Sequence, residues 1–513
     1  MPANPRASTS LRQGGAVLWT TRLDRRSPVS LSRQLAAALH RAISDGSIPA
    51  GARLPSTRAL ALELGLARST VVAVFEQLTA EGFIAARPGS GHHVPVRPEE
   101  SRAAAPPAAG PAPGLRRTSR QAALLQSAAP AGRGSPLPFE LGHAEIDGRF
   151  ITTWKRLTGR ALAGRSRVAW SYGDPQGELR LRTAIAEYLA AARGVHCRPE
   201  QVVLTAGTQQ GLSLAARILV DPGATAWVED PCYRAAFDIL RAAEARIVPV
   251  AVDDQGLDIE SVAGPPPALV YTTPSRQYPL GMAMPLNRRL ALLAWAAREG
   301  VWIVEDDYES EFQRPGRAFP SLQGLDRAGR VIYLGTFSKL LFPSLRLGYA
   351  VLPEDLVLPF TAARHLTDRQ SSGLTQAVMT EFILDGHFAR HLKRMRALYA
   401  DRQAFLIEQV TCRLGGLLDI KPVESGMYLT ALLPSGWDDR AIAASLAAVG
   451  VMALPLSALS LGARRPPALV LGYAGLSEAA IRGGVESMAR VLELATGLTL
   501  MTEAALHSVQ LDV

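Results

Sequence analysis

A single lysine with polar neighbours stands out in the segment VIYLGTFSKLLFPSLRLGY. Lys339 follows an apolar run that predicts a buried strand, with Thr336 and Ser338 just before it and Arg346 seven residues after it. A partly desolvated lysine forms a Schiff base with a carbonyl compound, and arginine with hydroxyl groups binds phosphate. The segment therefore indicates covalent capture of a phosphorylated carbonyl compound. The alternative is a surface lysine at the start of a helix.

The segment VWIVEDDYESEF ends a second predicted buried strand in acidic residues. The carboxylate of Asp306 is of the type that binds the protonated nitrogen of an aromatic ring, and the hydroxyl of Tyr308 is of the type that binds an oxygen on the same ring. The alternative is a loop whose acids face solvent.

A third segment, VVLTAGTQQGL, runs from a strand into the N-terminus of a helix at Gly207, Thr208 and Gln209. Free backbone N–H groups and the helix dipole favour phosphate at such a place. Tyr233, in WVEDPCY, has the ring to stack on a cofactor, although a core aromatic is the alternative. An amine, an acid, a hydroxyl and a phosphate cradle are what pyridoxal 5'-phosphate (PLP) needs from a protein, so we expect PLP as the cofactor.

The N-terminal part of the chain carries residues suited to reading DNA. In ARSTVVAVFEQL, polar residues precede an apolar helical face, as in a helix that enters the major groove. The alternative is that the hydroxyl residues cap the helix and the arginines are surface charge. The preceding helix and a following hairpin add further predicted DNA contacts. The full set is Arg58, Arg68, Ser69, Thr70, Arg87, Gly91 and His92.

The distribution of charge supports a polyanionic partner for this part. The net charge of the chain is +9, and residues 1–97 hold twelve arginines against five acidic residues. From residue 141 onward basic and acidic residues balance. A basic head on a neutral body predicts double-stranded DNA as partner.

Composition excludes several classes of protein. With 513 residues, 48% hydrophobic and 20% charged, the chain is too long for one domain and too apolar for disorder. Its three cysteines are too few and too scattered for a disulfide framework or a zinc cluster, so we expect no metal site. The first residues lack an apolar export signal, and Gly450 and Pro455 interrupt the uncharged stretch 441–463. We therefore expect a cytoplasmic protein without a membrane segment.

The elements that position these residues fall into a small and a large unit. In the small unit, Leu31, Leu35, Leu39 and Ile43 form a helical stripe, and two more helices and a hairpin follow. This order predicts an α+β winged helix-turn-helix domain. The large unit alternates strands and helices, which predicts an α/β fold with a mostly parallel sheet, helices on both faces and sites at the carboxyl ends of its strands.

The predicted boundaries follow from composition. A stretch rich in Ala, Pro, Gly and Arg separates the two folded units, and a segment of uncertain order ends the chain. The domains are the DNA-binding domain at 29–96, the linker at 97–138, the PLP-binding effector domain at 139–495 and the tail at 496–513.

The small unit resembles the winged-helix domain of the GntR family of bacterial transcription regulators. The resemblance rests on LPSTR, GLARSTV and RPGSGHH, against the family patterns LPS-x-R, G-x-SR-TV and RxGSGT. It implies DNA contacts by the residues named above. Two departures, Ala67 before Arg68 and His92 in the wing, leave the base preference open.

The large unit resembles the aminotransferases of fold type I. By this resemblance Lys339 is the Schiff-base lysine, Asp306 binds the ring nitrogen, and Tyr233 covers the ring. Tyr308 and Gln277 would bind the ring oxygen. The residues implied for the phosphate are Gly207, Thr208, Gln209, Thr336, Ser338 and Arg346, with Tyr172 of SYGDPQG reaching the phosphate of a neighbouring subunit, which implies a dimer.

The two units together are similar to the MocR-type (GabR-like) group of GntR regulators, which are described as PLP-dependent head-to-tail dimers. This chain departs from related patterns at Arg276, where the group has histidine, and at Tyr278, where aminotransferases have asparagine. Val470 takes the place of the arginine that grips a substrate carboxylate, with Arg464 or Arg465 as substitutes.

The resemblance implies a PLP-dependent DNA-binding transcription regulator that senses an amine, an amino acid or PLP itself. We expect the aminotransferase-like domain to serve sensing, with transaminase half-reactions as a residual activity. The alternative from another class is a working aminotransferase with an accessory N-terminal domain. A second alternative is a DNA-binding protein with a cofactor-free relic of the enzyme. These functions differ in whether the protein binds the carboxylate of a substrate and whether it sustains catalytic turnover.

Overall fold

A computed structural model of the protein describes residues 12–13, 16–17, 23–96, 119–126, 136–164, 170–313, 319–424, 426–462 and 465–510. The chain divides into two compact units, Met1–Arg117 and Thr118–Val513. Most of the predicted linker lies outside the described residues. Within its range, helix α4 (Arg120–Gln126) packs on a helix of the larger unit at Arg234–Ala242.

Among its described residues, the smaller unit contains three helices and two short antiparallel strand pairs. Leu35 and Leu39 of the predicted stripe are buried and pack in one core with Phe75. The side chain of Ser56 accepts a hydrogen bond from the N–H of Ala59 and so caps the second helix. The architecture is the predicted winged helix-turn-helix. Its elements are β1 (Arg12–Gln13), β2 (Ala16–Val17), α1 (Leu31–Ser44), α2 (Thr57–Leu64), α3 (Arg68–Ala80), β3 (Ala85–Arg87) and β4 (Gly91–His93).

The larger unit is built on an eight-stranded sheet. Its strands are β5 (Val202–Thr205), β6 (Thr225–Asp230), β7 (Arg246–Asp253), β8 (Gly256–Leu257), β9 (Leu269–Thr272), β10 (Trp302–Asp307), β11 (Val331–Thr336) and β12 (Gly348–Val351). They lie in the order β5-β12-β11-β10-β9-β6-β7-β8. Among the described strands of this sheet, β12 and β8 run in the direction opposite to the other six, so the prediction of a mostly parallel sheet is confirmed.

Helices cover both faces of this sheet, as predicted. On one face Leu212 and Phe360 pack with Leu334 of β11. On the other face Leu292 packs with Ile303 of β10. The helices of this part are α5 (Gly148–Ala163), α6 (Leu179–Arg193), α7 (Thr208–Leu219), α8 (Arg234–Ala242), α9 (Leu286–Glu299), α10 (Leu322–Leu325), α11 (Glu354–Asp368) and α12 (Gly373–Leu384).

A second, antiparallel sheet forms the C-terminal lobe. Its strands are β13 (Asp419–Ile420), β14 (Tyr428–Leu432), β15 (Leu454–Pro455) and β16 (Ala468–Gly472), in the order β13-β14-β16-β15. The helices are α13 (His387–Leu414), α14 (Asp439–Ala448) and α15 (Glu478–Gln510). Helix α15 continues through most of the range predicted to be a tail. Within the described part of the chain, no helix is long and apolar enough to cross a membrane.

Candidate functional site

A cavity of about 200 Å³ lies at the carboxyl edge of the large sheet, where β5, β9, β10 and β11 end. Parallel strands bring their carboxyl ends to one edge, so residues far apart in the sequence meet there. The predicted residues that line this cavity are Gly207, Thr208, Gln209, Tyr233, Asp306, Tyr308, Thr336, Ser338, Lys339 and Arg346.

Lys339 reaches the cavity from the loop after β11. Burial lowers the pKa of Lys339 below its ordinary value, although the nearby carboxylates of Glu309 and Asp306 act in the opposite direction. A lowered pKa increases the fraction of neutral amine, which is the nucleophilic form. Gly142 lies against the amine, and a Cβ atom at Gly142 would collide with Nζ of Lys339. The loop residue Gly142 was not predicted as part of the site.

A cradle for an anion forms between the start of α7 and the loop before β12. Gly207 has φ 117° and precedes the first turn of α7. A Cβ placed on Gly207 would lie 3.8 Å from both terminal nitrogens of Arg346 and 3.8 Å from Oγ1 of Thr336. The buried Oγ of Ser338 has no hydrogen-bond partner among the described residues. These donors and the positive end of the helix dipole suit a phosphate.

Asp306 lines the same cavity from β10. Its Oδ2 accepts a hydrogen bond of 2.8 Å from the hydroxyl of Tyr271, whereas its buried Oδ1 has no partner in the described structure. Burial raises the pKa of Asp306 to about 7, against hydrogen bonds from Tyr271 and Thr208 that lower it. A protonated ring nitrogen would satisfy Oδ1 and stabilise the charged carboxylate. The orphaned atoms of Asp306 and Ser338 therefore fit the two ends of PLP.

The raised pKa of Asp306 makes the stability of the cofactor-free protein depend on pH. Between the ordinary value of 3.8 and about 7, the folded state holds a proton that the unfolded state has lost. The contribution of Asp306 to the free energy of unfolding therefore falls as pH rises through this range. We expect Asp306→Asn to gain stability relative to the unmutated protein between pH 5 and pH 7, measured by denaturant unfolding. A difference that is constant across this range would contradict the raised pKa.

Besides Tyr271, four tyrosines line the cavity: Tyr233, Tyr278, Tyr308 and Tyr428. The hydroxyl of Tyr308 donates to the carbonyl of Arg276 at 3.1 Å and lies 2.6 Å from the hydroxyl of Tyr428. The rings of Tyr233 and Tyr278 meet edge to face with centroids 5.7 Å apart. Tyr428 and Tyr278 were not predicted as site residues, although Tyr278 had been noted as a departure from the aminotransferase pattern.

Two predicted cofactor residues lie outside this cavity. The amide of Gln277 donates to Glu229 at 3.2 Å and to the carbonyl of Pro231 at 2.8 Å, so the structure does not place Gln277 at a ring oxygen. The buried Glu229 needs donors, and the neighbouring glutamine supplies one. Tyr172 is 80% exposed and lies under the guanidinium of Arg369, away from the cavity of its own chain.

The position predicted for a carboxylate-binding arginine is apolar. Val470 is buried on β16 in a cluster with Tyr428 and Leu459. The guanidinium of Arg465 donates to the carbonyls of Asp230 and Val252 and does not line the cavity. Arg464, the other predicted substitute, lies outside the described residues.

The acids on either side of Asp306 form ion pairs with buried arginines behind the cavity. Glu305 lies 3.7 Å from the buried Arg289 and accepts the N–H of Leu322 at 2.9 Å. Asp307 lies 2.9 Å from the buried Arg193. Burying an unpaired charge is costly, so each of these acids has a cationic partner. The three acids of β10 thus divide between structural ion pairs and the cavity.

Gly348 on β12 allows the two backbones beside the cradle to approach. A Cβ atom at Gly348 would lie 2.7 Å from Cα of Gly207 and 2.7 Å from the carbonyl oxygen of Gly335. We expect Gly348→Ala to lower the free energy of unfolding by about 1–3 kcal/mol and to weaken PLP binding, because backbone atoms must move. Thermal unfolding and fluorescence titration with PLP would measure both effects.

Gly483 offers the matched control for that substitution. It lies in α15, and a Cβ atom at Gly483 would have no other atom within 4 Å, so Gly483→Ala should be neutral or stabilising. Equal behaviour of the two variants would contradict the close approach at Gly348.

The predicted DNA-binding residues of the smaller unit share its helix-turn-helix and wing. Arg68 and Ser69 are exposed at the start of α3, and Thr70 is half-buried. Ala67 occupies the N-cap position without a side-chain hydrogen bond, so Ser69 and Thr70 do not serve as caps. The N-terminus of α3 is therefore open to a phosphate or a base edge.

The remaining contacts lie on α2 and in the wing. Arg58 and Arg87 are exposed, and Gly91 has φ 81° at the wing turn. The ring of His92 packs edge to face on Phe75, with centroids 5.0 Å apart, so this histidine also contributes to the core of the unit. Arg53, which was not predicted, pairs with β4 through an isolated bridge, and its guanidinium lies beside Gly91.

Comparisons with known proteins assign a family to each unit. Residues 31–94 match the model "Bacterial regulatory proteins, gntR family", and residues 139–488 match "Aminotransferase class I and II". The chain is 40% identical to the "Probable rhizopine catabolism regulatory protein MocR" of Rhizobium meliloti over 91% of this chain and 94% of that protein. It is 34% identical to the "HTH-type transcriptional regulator TauR" of Rhodobacter capsulatus, over 90% and 96%.

A solved structure with the same fold is the α-aminoadipate aminotransferase LysN of Thermus thermophilus, complexed with N-(5'-phosphopyridoxyl)-L-leucine. Its TM-score is 0.65 at 27% identity, covering 71% of this chain and 93% of that chain. The larger unit therefore has the aminotransferase fold that the sequence predicts.

Proposed function

Because this chain belongs to the MocR-type regulators of the gntR family, we propose that it regulates transcription. In these proteins a winged helix-turn-helix is joined to a class I and II aminotransferase domain. The N-terminal unit would bind an operator, and the C-terminal unit would bind an amine effector beside PLP. The convergence of Lys339, Asp306 and Arg346 on one cavity carries this proposal.

The N-terminal unit supplies the DNA contacts. Arg68 and Ser69, exposed at the start of α3, are placed to meet base edges in the major groove. Arg58 and Arg87 would bind phosphates on either side, and Thr70, Gly91 and His92 would shape the contact surface. Since arginine–phosphate contacts release counterions, DNA affinity should fall steeply with salt.

The C-terminal unit supplies the residues that hold PLP. When bound, PLP provides a carbonyl carbon that reacts with amines and a ring that withdraws electrons from the attached group. Lys339 would hold this carbon covalently, Arg346 and the start of α7 the phosphate, and Asp306 the ring nitrogen. Tyr233 would cover the ring, and Tyr308 lies at the side where the ring oxygen is expected.

Sensing requires only that the effector bind two states of the regulator unequally. An amine that competes with Lys339 frees its Nζ beside the carboxylates of Glu309 and Asp306. We propose that this rearrangement inside a buried site biases the protein between states of different DNA affinity. The buried Val470 stands at the position of the arginine expected to hold an amino acid substrate, which disfavours a general aminotransferase.

A homodimer belongs to this proposal. The exposed Tyr172, stacked with Arg369, is available to reach the phosphate site of a second copy. We expect a head-to-tail dimer, and a cytoplasmic location follows from the DNA partner.

A mobility-shift assay on DNA from upstream of the protein's own gene tests the function. We expect the full-length protein to bind this DNA, with an affinity that changes when PLP and a panel of amines are added. Sustained conversion of an amino donor and a keto acceptor, without any DNA binding, would support the enzyme instead and overturn the proposal.

A further inference from the structure

We infer that the cavity beside Lys339 selects a primary amine that bears hydroxyl groups and no carboxylate. This inference rests on the proposed function and names the class of effector for the same site. It follows from the charges and the unpaired hydroxyls in the cavity wall.

Both cationic side chains that line the cavity already have a role in holding PLP. Among the described residues that line it, only Lys339 and Arg346 carry positive charge. Arg346 belongs to the anion cradle with Gly207 and Thr336, and Lys339 is the amine that an effector must replace. No lining cation in the described structure is left for a carboxylate.

Two neighbouring arginines, Arg276 and Arg234, do not fill this gap. Arg276 lies behind the wall, with its Nε 2.5 Å from Oε1 of Glu309 and its guanidinium over the ring of Tyr428. Arg234 follows Tyr233 in sequence, but its Nε pairs with Asp238 along α8 at 3.3 Å. Each of these cations is therefore engaged elsewhere.

The acidic groups that line the cavity offer a carboxylate no charge partner. Glu309 and Asp306 both line it, and a phosphate in the cradle brings further negative charge close by. Burying a carboxylate without a cation or a full set of hydrogen bonds carries a large free-energy cost. At the place where the aminotransferase pattern has arginine, Val470 and Leu459 present only apolar surface.

Once Asp306 and Ser338 are assigned to PLP, the hydroxyls of Tyr233 and Tyr278 are polar groups that remain for an effector. Both side chains line the cavity, and neither hydroxyl makes a hydrogen bond within the described residues. In contrast, Tyr271 is bonded to Asp306, and Tyr308 is bonded to Tyr428. Both tyrosines are half-buried, and each hydroxyl can donate one hydrogen bond and accept others, so it pairs with a hydroxyl group of a ligand.

Three pairs of probes differ only by exchange of a carboxylate for a hydroxymethyl group: serinol and serine, tyrosinol and tyrosine, ethanolamine and glycine. The full-length, PLP-loaded protein would be titrated with each, and binding followed by the change in cofactor absorbance and by calorimetry. We expect the alcohol of at least one pair to bind about tenfold or more tightly than its acid.

Two variants locate the selectivity. Tyr278→Phe should weaken binding of the preferred alcohol by about two- to tenfold, whereas Tyr188→Phe, outside the cavity lining, should not. Val470→Arg should move the preference towards the acids, with Val470→Leu as the control for size. If Val470→Arg does not fold, the tyrosine variants and the probe pairs still decide.

The outcomes separate this inference from the proposed function. Acids that bind as tightly as their alcohols would overturn the inference and show that a cation reaches the cavity from elsewhere. The inference would also be overturned if none of the probes binds to a protein that still binds both PLP and DNA. A protein that takes up neither PLP nor DNA would refute the proposed function itself.

Discussion

Replacing Lys339 with alanine abolishes covalent capture of PLP. The structure offers one lysine to the cavity, and its lowered pKa favours the nucleophilic form of the amine. After incubation with PLP and gel filtration, the unmutated protein should retain visible absorbance, and borohydride reduction should fix the cofactor to the peptide that contains Lys339. The Lys339→Ala variant should show neither property, although Arg346 and Asp306 remain to hold PLP weakly without a covalent bond.

An exposed lysine supplies the control for this experiment. Lys155 lies on the solvent side of α5, so Lys155→Ala should label as the unmutated protein does. Labelling of any lysine other than Lys339 as the main product would refute the assignment.

Arg68→Ala should produce the largest loss in DNA binding among single substitutions of the smaller unit. Arg68 is the first residue of α3, exposed beside an N-terminus that carries no side-chain cap. If it contacts a base edge, its loss costs about 1–3 kcal/mol and relaxes the base preference at one position. If it contacts phosphate, binding weakens on all sequences and the salt slope falls by about one.

Binding isotherms at several salt concentrations distinguish the two roles of Arg68. Arg41→Ala is the control because Arg41 is exposed in the last turn of α1, on a different helix from the predicted recognition surface. Affinity unchanged by Arg68→Ala, or lowered equally by Arg41→Ala, would contradict the assignment of α3 as the recognition helix.

The positions of the main cavity residues could be predicted because each lies at the end of a strand that its local sequence already indicates. Asp306 and Lys339 follow apolar runs, and parallel pairing of β10 and β11 brings their ends together without further information. The helices of the smaller unit could be predicted equally well, since Leu35 and Leu39 recur at helical spacing and are buried as expected.

The partners of these residues could not be predicted, because they depend on which side chains meet across elements. Tyr271 reaches Asp306 only because β9 pairs with β10, and a tyrosine near the end of ALVYTTP was the sole indication in the sequence. Tyr428 comes from the C-terminal lobe, more than a hundred residues from Tyr308. The resemblance implies Gln277 at the ring oxygen, but its amide binds the buried Glu229, a contact that the local sequence does not indicate.

The alternation of acids along β10 constrains how this protein can vary in length. Successive side chains of a strand point to opposite faces, so Glu305 and Asp307 share one face and Asp306 takes the other. Deleting or inserting a single residue upstream within β10 would exchange these faces. Two carboxylates would then enter the cavity, while Arg193 and Arg289 would share a single acid. The length of β10 can therefore change only in steps of two residues if each acid is to keep its face.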